Sequence, residues 1–393
     1  MNMIPRSTRF GPMHRTMHGI TLIEMMISLT IGLLIIAGIG YAYLGSKQGF
    51  RIQDALSRMQ EGARTAFEIM DKDIRMAGFT GCPPNSAASG DINILTAAND
   101  WDKNLFGQPL IGYEKASGAW SAFPAGITGV VGNVLRGDAL TVLRADNSQE
   151  FIVSTHTPAS VPPQITLTAN HNINEGAILV AAKADCSRTA VFQNTKTCTI
   201  SSGSCGHAII EHNATSPCSS GNSRKGLGSP IGTCPDGTSD TFGAGSRLYR
   251  LSAVTYYIRT NADNEPALYR QVLGTTNGSP SNTAEELIEG VQDMQLLYGE
   301  DTGGAIDKVD VYRTANNVVD WTRVLGVRVS LLMVSRQDEQ GVTTEPQRYT
   351  LDMNGDGDVA DTVTDTGETE TVTPSDRLLR KVFTTTIAVK NRL

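Results

Sequence analysis

Residues 20–44 form a run of 25 in which Glu24 is the one charged side chain. A helix over that run is about 37 Å long at 1.5 Å per residue, enough to cross a hydrocarbon core of about 30 Å. An ionisable group at mid-membrane costs about 2.5–3.5 kcal/mol unless something pairs with it, and less near an end. Glu24 is therefore a candidate functional residue, and the question is what neutralises it.

The preceding residues 1–19 carry Arg6, Arg9 and Arg15, no acidic residue, and end in Gly19. Three readings compete. A secretory signal places a small-residue cleavage site after the apolar run, but residues 42–46 contain no A-x-A pattern. An uncleaved anchor keeps the arginines cytoplasmic. In the third reading the chain is cut between Gly19 and Ile20, and the apolar run stays on the mature protein. The new α-ammonium would then lie four residues from Glu24 and give it a cationic partner, on its own or a neighbouring subunit.

The stretch Gly19-Ile20-Thr21-Leu22-Ile23-Glu24-Met25-Met26 resembles the type III signal sequence of type IV pilins and type II secretion pseudopilins. Ile20 departs from the usual Phe. Further stretches resemble PilW-like minor pilins: Arg75-Met76-Ala77-Gly78-Phe79 before Gly81-Cys82; Leu287-Ile288-Glu289-Gly290-Val291-Gln292-Asp293-Met294-Gln295; Leu297-Tyr298-Gly299; and Val382-Phe383-Thr384-Thr385-Thr386-Ile387. The resemblance implies that a prepilin peptidase cuts after Gly19 and methylates the N-terminus of Ile20, and that Glu24 registers subunits during assembly. It also implies an inner-membrane protein with one span and a periplasmic head, bound for the pilus near its tip. Its partners would be other minor pilins, the major pilin and the pilus assembly platform. Its role would be to prime pilus assembly in support of twitching, adhesion or DNA uptake. A J-type minor pseudopilin of type II secretion shares these features. A membrane-anchored periplasmic binding module is the alternative of another class.

The expected fold class is α+β: a long N-terminal helix, membrane-spanning in its first half, packed on a β-rich C-terminal head. Beyond residue 45 charges appear abruptly, including Asp71, Asp73 and Arg75, while Ile52, Leu56, Met59, Ala63, Phe67, Met70, Ile74 and Ala77 recur at spacings of three and four. That is an amphipathic helix with one buried stripe, and Gly78 is placed to stop it. Residues 20–45 and 46–78 thus read as the two halves of one helix over 20–77, about 87 Å long. Two helices broken near Gly45 and Gly49 fit the same pattern.

The head, residues 79–393, has short β-branched runs between turn residues. Candidate strands are 125–135, 139–145, 150–154, 164–168, 177–181, 248–259, 267–271, 294–298, 324–335, 348–351 and 382–389, with a short helix starting in 284–291. Removing three arginines and no acid from a chain of formal charge −7 leaves −10. With no basic run, the head does not read as a nucleic-acid binder.

Cys82, Cys186, Cys198, Cys205, Cys218 and Cys234 lie beyond the span, on the side where disulfides persist. Five of them fall in residues 186–244, a Ser-, Gly-, Thr- and Asn-rich insertion too poor in aliphatics to bury much core. If every thiol is oxidised, parity makes Cys82 bridge into this segment; the pairing stays open. No close Cys pair suggests zinc.

Asp352, Asn354, Asp356 and Asp358 alternate like the first half of an EF-hand loop, with Gly357 at the turn position. Val363 stands at the twelfth place, so a full EF-hand is excluded. Asp361 is the leading further ligand of a shorter candidate calcium site, and a bare polar hairpin is the alternative. No other cofactor is implied. His156, His171, His207 and His212 sit in polar, loop-like sequence, and no G-x-S-x-G or H-E-x-x-H motif occurs, so the chain does not read as an enzyme.

Overall fold

The helix α1, Leu22–Arg75, opens the computed structural model, which describes residues 19–83, 90–96, 98, 100–116, 119–120, 137–198, 205–218, 221–228, 234–336, 343, 349–352, 369–372 and 374–392. Two units divide the chain, Met1–Asp54 and Ala55–Leu393. In the first, α1 is apolar around its whole circumference and exposed: Leu22, Ile23, Met25, Ile36, Ile39 and Leu44 all face outward. It is long and apolar enough to cross a membrane. The helix runs unbroken through Gly45 and Gly49, so the two-helix alternative does not hold.

In the second unit α1 buries Ala55, Met59, Ala63, Ala66, Met70, Asp73 and Ile74. The observed stripe is rotated from the expected one, because small residues let the backbone approach the sheet. Ile52, Leu56 and Phe67 are only half-buried. A Cβ on Gly62 would lie 3.1 Å from Met333 Cε and 3.2 Å from Ile288 Cγ2, so this turn is seated on the strands that carry them. Gly78 ends the helix as expected. It adopts φ +78°, a left-handed conformation that glycine enters without penalty, and its N–H donates to the Leu143 carbonyl at 2.9 Å.

The strands of the head are β1 (Ile92–Asn93), β2 (Leu110–Tyr113), β3 (Lys115–Ala116), β4 (Ala119–Trp120), β5 (Ala139–Thr157), β6 (Gln164–Leu167), β7 (Ile178–Ala182), β8 (Thr189–Gln193) and β9 (Ile209–Glu211). After them come β10 (Arg247–Thr260), β11 (Pro266–Thr276), β12 (Ser279–Glu289), β13 (Val291–Glu300), β14 (Val311–Arg313), β15 (Val324–Val334), β16 (Tyr349–Asp352), β17 (Thr369–Val372) and β18 (Arg380–Ala388). Among the described residues a ten-stranded sheet has the path β1-β8-β7-β10-β5-β6-β9, with β11, β12 and β2 branching from it, and a four-stranded sheet has the order β14-β13-β15-β18.

Strand β7 shows where the core lies. Leu179 and Ala181 join one apolar cluster with Phe192 and Phe242, while Ile178 and Val180 join another with Leu143 and Leu251. Successive side chains leave opposite faces of a strand, so β7 is buried on both sides. Each fully buried Leu, Ile or Val stabilises by about 1.5–3 kcal/mol.

Two expectations change here. The expected strands 139–145 and 150–154 are one strand, β5. The turn-like Asp146-Asn147-Ser148 is absorbed as a bulge, in which the Asp146 carboxylate accepts from the Ser148 N–H at 3.1 Å and its hydroxyl at 2.8 Å. The short helix expected in 284–291 is instead β12, paired along its length with β11 and ended by Gly290 at φ +79°. The expected strand 125–135 lies outside the described residues.

Candidate functional site

At the start of α1, Thr21 and Glu24 hold each other. The Thr21 N–H and hydroxyl both donate to Glu24 Oε2 at 2.9 Å, and the Glu24 N–H donates to Thr21 Oγ1 at 3.3 Å. This is a capping box, which satisfies donors that the first turn leaves without helical partners. Its signature, Thr-x-x-Glu before an apolar run, is legible in the sequence. Gly19 and Ile20 precede the cap, outside the helix and exposed.

The other end of α1 is fixed by a buried charge. Asp73 stands at the position that an apolar residue of the stripe would fill. Reading it as part of the polar face is corrected: it is buried. Arg144 of β5 donates to Asp73 Oδ1 through Nη2 at 2.8 Å and Nε at 3.1 Å, and the Tyr256 hydroxyl of β10 donates to Oδ2 at 2.6 Å. Both carboxylate oxygens are satisfied, which a buried charge requires. Burial and the Asp73 charge push the Tyr256 phenol well above its ordinary pKa, so it stays a donor. The signal was an acid in register with Met70 and Ala77; its partners lie too far along the chain to be inferred.

The cysteine-rich segment is tied down by Cys82–Cys186, Cys198–Cys205 and Cys218–Cys234. It also contributes more core than its composition suggests, since Phe192, Ile210, Leu227 and Phe242 are fully buried. His171 and His212 lie in loops as expected, but His156 is on β5, and all three are buried rather than in polar surroundings open to solvent. His212 Nδ1 faces the Lys225 carbonyl at 2.8 Å, so it carries the proton and leaves Nε2 as acceptor. His156 Nδ1 accepts from the Phe242 N–H at 3.0 Å, so its Nε2–H donates to His212 Nε2 at 3.0 Å. Both rings are neutral in this arrangement. Burial lowers the pKa of His156 to about 4, and burial together with His156 lowers that of His212 to about 3. His171 likewise donates to the Ile209 carbonyl and accepts from the Ile173 N–H.

The candidate calcium loop begins at Asp352, the last residue of β16, whose register partner is Thr369 of β17. Asn354, Asp356, Asp358 and Asp361 lie outside the described residues. Among the described residues no group of three or more His, Cys, Asp or Glu side chains could hold a metal ion.

Residues 14–40 match the prokaryotic N-terminal methylation motif, and residues 255–391 match the family described as type IV pilus-assembly protein W. The second match begins in β10 and takes in the four-stranded sheet; the cysteine-rich segment lies outside both. No curated protein and no solved structure matches the chain. With the prepilin-type motif on an exposed apolar helix and a PilW-type segment over residues 255–391 of its β-rich head, the chain is similar to PilW-like pilins of the type IV pilus.

Proposed function

We propose that this pilin is a minor subunit that joins other minor pilins in the complex that primes pilus assembly, with its head in the periplasm until extrusion. The observation that carries this reading lies in the first unit. Gly32, Gly38, Gly40, Gly45 and Gly49 interrupt an exposed helix, and a Cβ at any of them would meet nothing within 4 Å. Each glycine weakens a helix by about 1 kcal/mol relative to Ala. Nothing among the described residues packs against them, and such glycines permit close approach of a neighbouring helix. A monomeric anchor gains nothing from such a surface, whereas a subunit that packs against other helices does.

The test is deletion followed by capture of the tagged protein from membranes. Loss of surface pili and co-purification of other minor pilins are expected. Loss of secretion with pili intact would favour the pseudopilin reading, and neither defect would leave a monomeric binding module. The mature protein should begin at Ile20 with a methylated α-amine; an intact Met1 or a start beyond residue 42 would overturn the processing step.

A further inference from the structure

Between the loop that follows β6 and the outer part of β11 lies a cleft of about 340 Å³, with Asn172 and Asn174 on one wall, Leu273 and Thr275 on the other, and Arg250 and Leu251 of β10 at its base. That volume is at the lower end of the range for small-molecule sites. The half-buried Arg250 is held by side-chain and backbone amide oxygens. Its Nη1 donates to Gln149 Oε1 at 2.8 Å, and its Nη2 donates to Asn172 Oδ1 at 2.6 Å and the Asn172 carbonyl at 3.0 Å. The guanidinium lies over the Phe151 ring, 5.3 Å from its centre.

These partners are neutral. Among the described residues no carboxylate lies within 4.0 Å of Arg250. Asp146, its register partner on β5, is occupied by Ser148 and by Arg144 at 3.4 Å. Amide oxygens orient a guanidinium without neutralising it; burial pulls the Arg250 pKa down, and the Asp146 charge offsets part of this. Nη1 and Nη2 each already donate, which leaves Nε–H and the second Nη1–H to meet a carboxylate. Above it, Asn174 Nδ2 reaches Thr275 Oγ1 at 3.3 Å, so amide and hydroxyl groups meet beside the apolar Leu251 and Leu273. Polar groups of both senses beside an apolar wall suit a hydroxylated ring.

We propose that this cleft binds an acidic sugar, its carboxylate on Arg250 and its hydroxyls on Asn174 and Thr275. It would be a second activity of the head, independent of assembly. The test uses the full chain in detergent micelles, titrated with galacturonic acid, N-acetylneuraminic acid and neutral galactose by calorimetry or saturation-transfer NMR. An acidic sugar should saturate, with galactose at least tenfold weaker. Arg250→Gln should weaken binding at least tenfold, and Thr275→Val should weaken it several-fold with the thermal midpoint unchanged. The comparison of acid with neutral sugar needs no variant, so it stands even if Arg250→Gln misfolds. Equal responses to galactose and the acids, no saturation by either acid, or equal competition by acetate or a short peptide carboxylate would each overturn the proposal.

Discussion

Tyr256 and Asp73 stand 183 residues apart in the chain, and the phenol of one donates to the carboxylate of the other at 2.6 Å. With Arg144 on the second oxygen, this joins the last turn of α1 to the middle of the large sheet. Removing one partner of a buried ion pair costs about 3–5 kcal/mol, because the other charge is left uncompensated. Asp73→Ala should therefore destabilise far more than Tyr256→Phe, which loses one hydrogen bond to a charged group, about 1.5–3 kcal/mol. Chemical denaturation of the two variants checks the order, and equal losses would show that the ion pair adds nothing.

The three disulfides should differ in worth. Cys82–Cys186 closes a separation of 104 residues, against 7 for Cys198–Cys205. The chain-entropy treatment gives about 4.7 kcal/mol for the first and about 2.4 kcal/mol for the second. Serine pairs at the two bridges, compared by thermal unfolding under oxidising conditions, should rank in that order.

The histidine pair sets a pH dependence whose sign follows from its hydrogen bonds. Both rings are neutral in the folded protein, with pKa values pushed down to about 4 and about 3, while an unfolded histidine titrates near 6.5. Between those limits the unfolded state binds more protons, so stability rises with pH. The stabilisation is present above about pH 6.5 and is lost as pH falls toward 4. At pH 5.5 the loss is on the order of 2–3 kcal/mol for the two rings together. His212→Gln keeps an amide donor for the Lys225 carbonyl and an oxygen for His156, yet does not titrate. It should flatten the fall in melting temperature between pH 7 and 5; an unchanged slope would mean other groups carry it.

How far the sequence revealed all this depended on the range of the signal. The apolar run, the basic leader and Gly78 are local, and helix, span and helix stop follow from them. Parity placed Cys82 in a bridge to the insertion, because that argument needs no geometry. Distance along the chain hid the rest. Nothing local marks Arg144 and Tyr256 as partners of Asp73, or brings His156 next to His212, 56 residues away. Composition misled in residues 186–244, where a few aromatic and aliphatic side chains do the burying and the Ser and Gly count dominates the average. In 284–291 a short helix was expected, but the β11 ladder overrides local propensity and uses Glu285 and Glu286: Arg270 pairs with Glu285 at 2.8 Å, and the Tyr269 hydroxyl donates to Glu286 at 2.8 Å.

Glu24 has two uses, and they can be separated. As the N3 residue of a capping box it closes the helix start; as a carboxylate in an apolar span it can meet a neighbour's ammonium. Glu24→Gln keeps an oxygen for the Thr21 N–H and removes the charge. Thr21→Val removes the hydroxyl from the cap and leaves the charge. If assembly depends on charge pairing, Glu24→Gln should insert in the membrane but fail to co-purify with other pilins, while Thr21→Val should co-purify at near wild-type yield. Were the cap the sole requirement, the two variants would exchange behaviour, and Glu24→Gln would assemble.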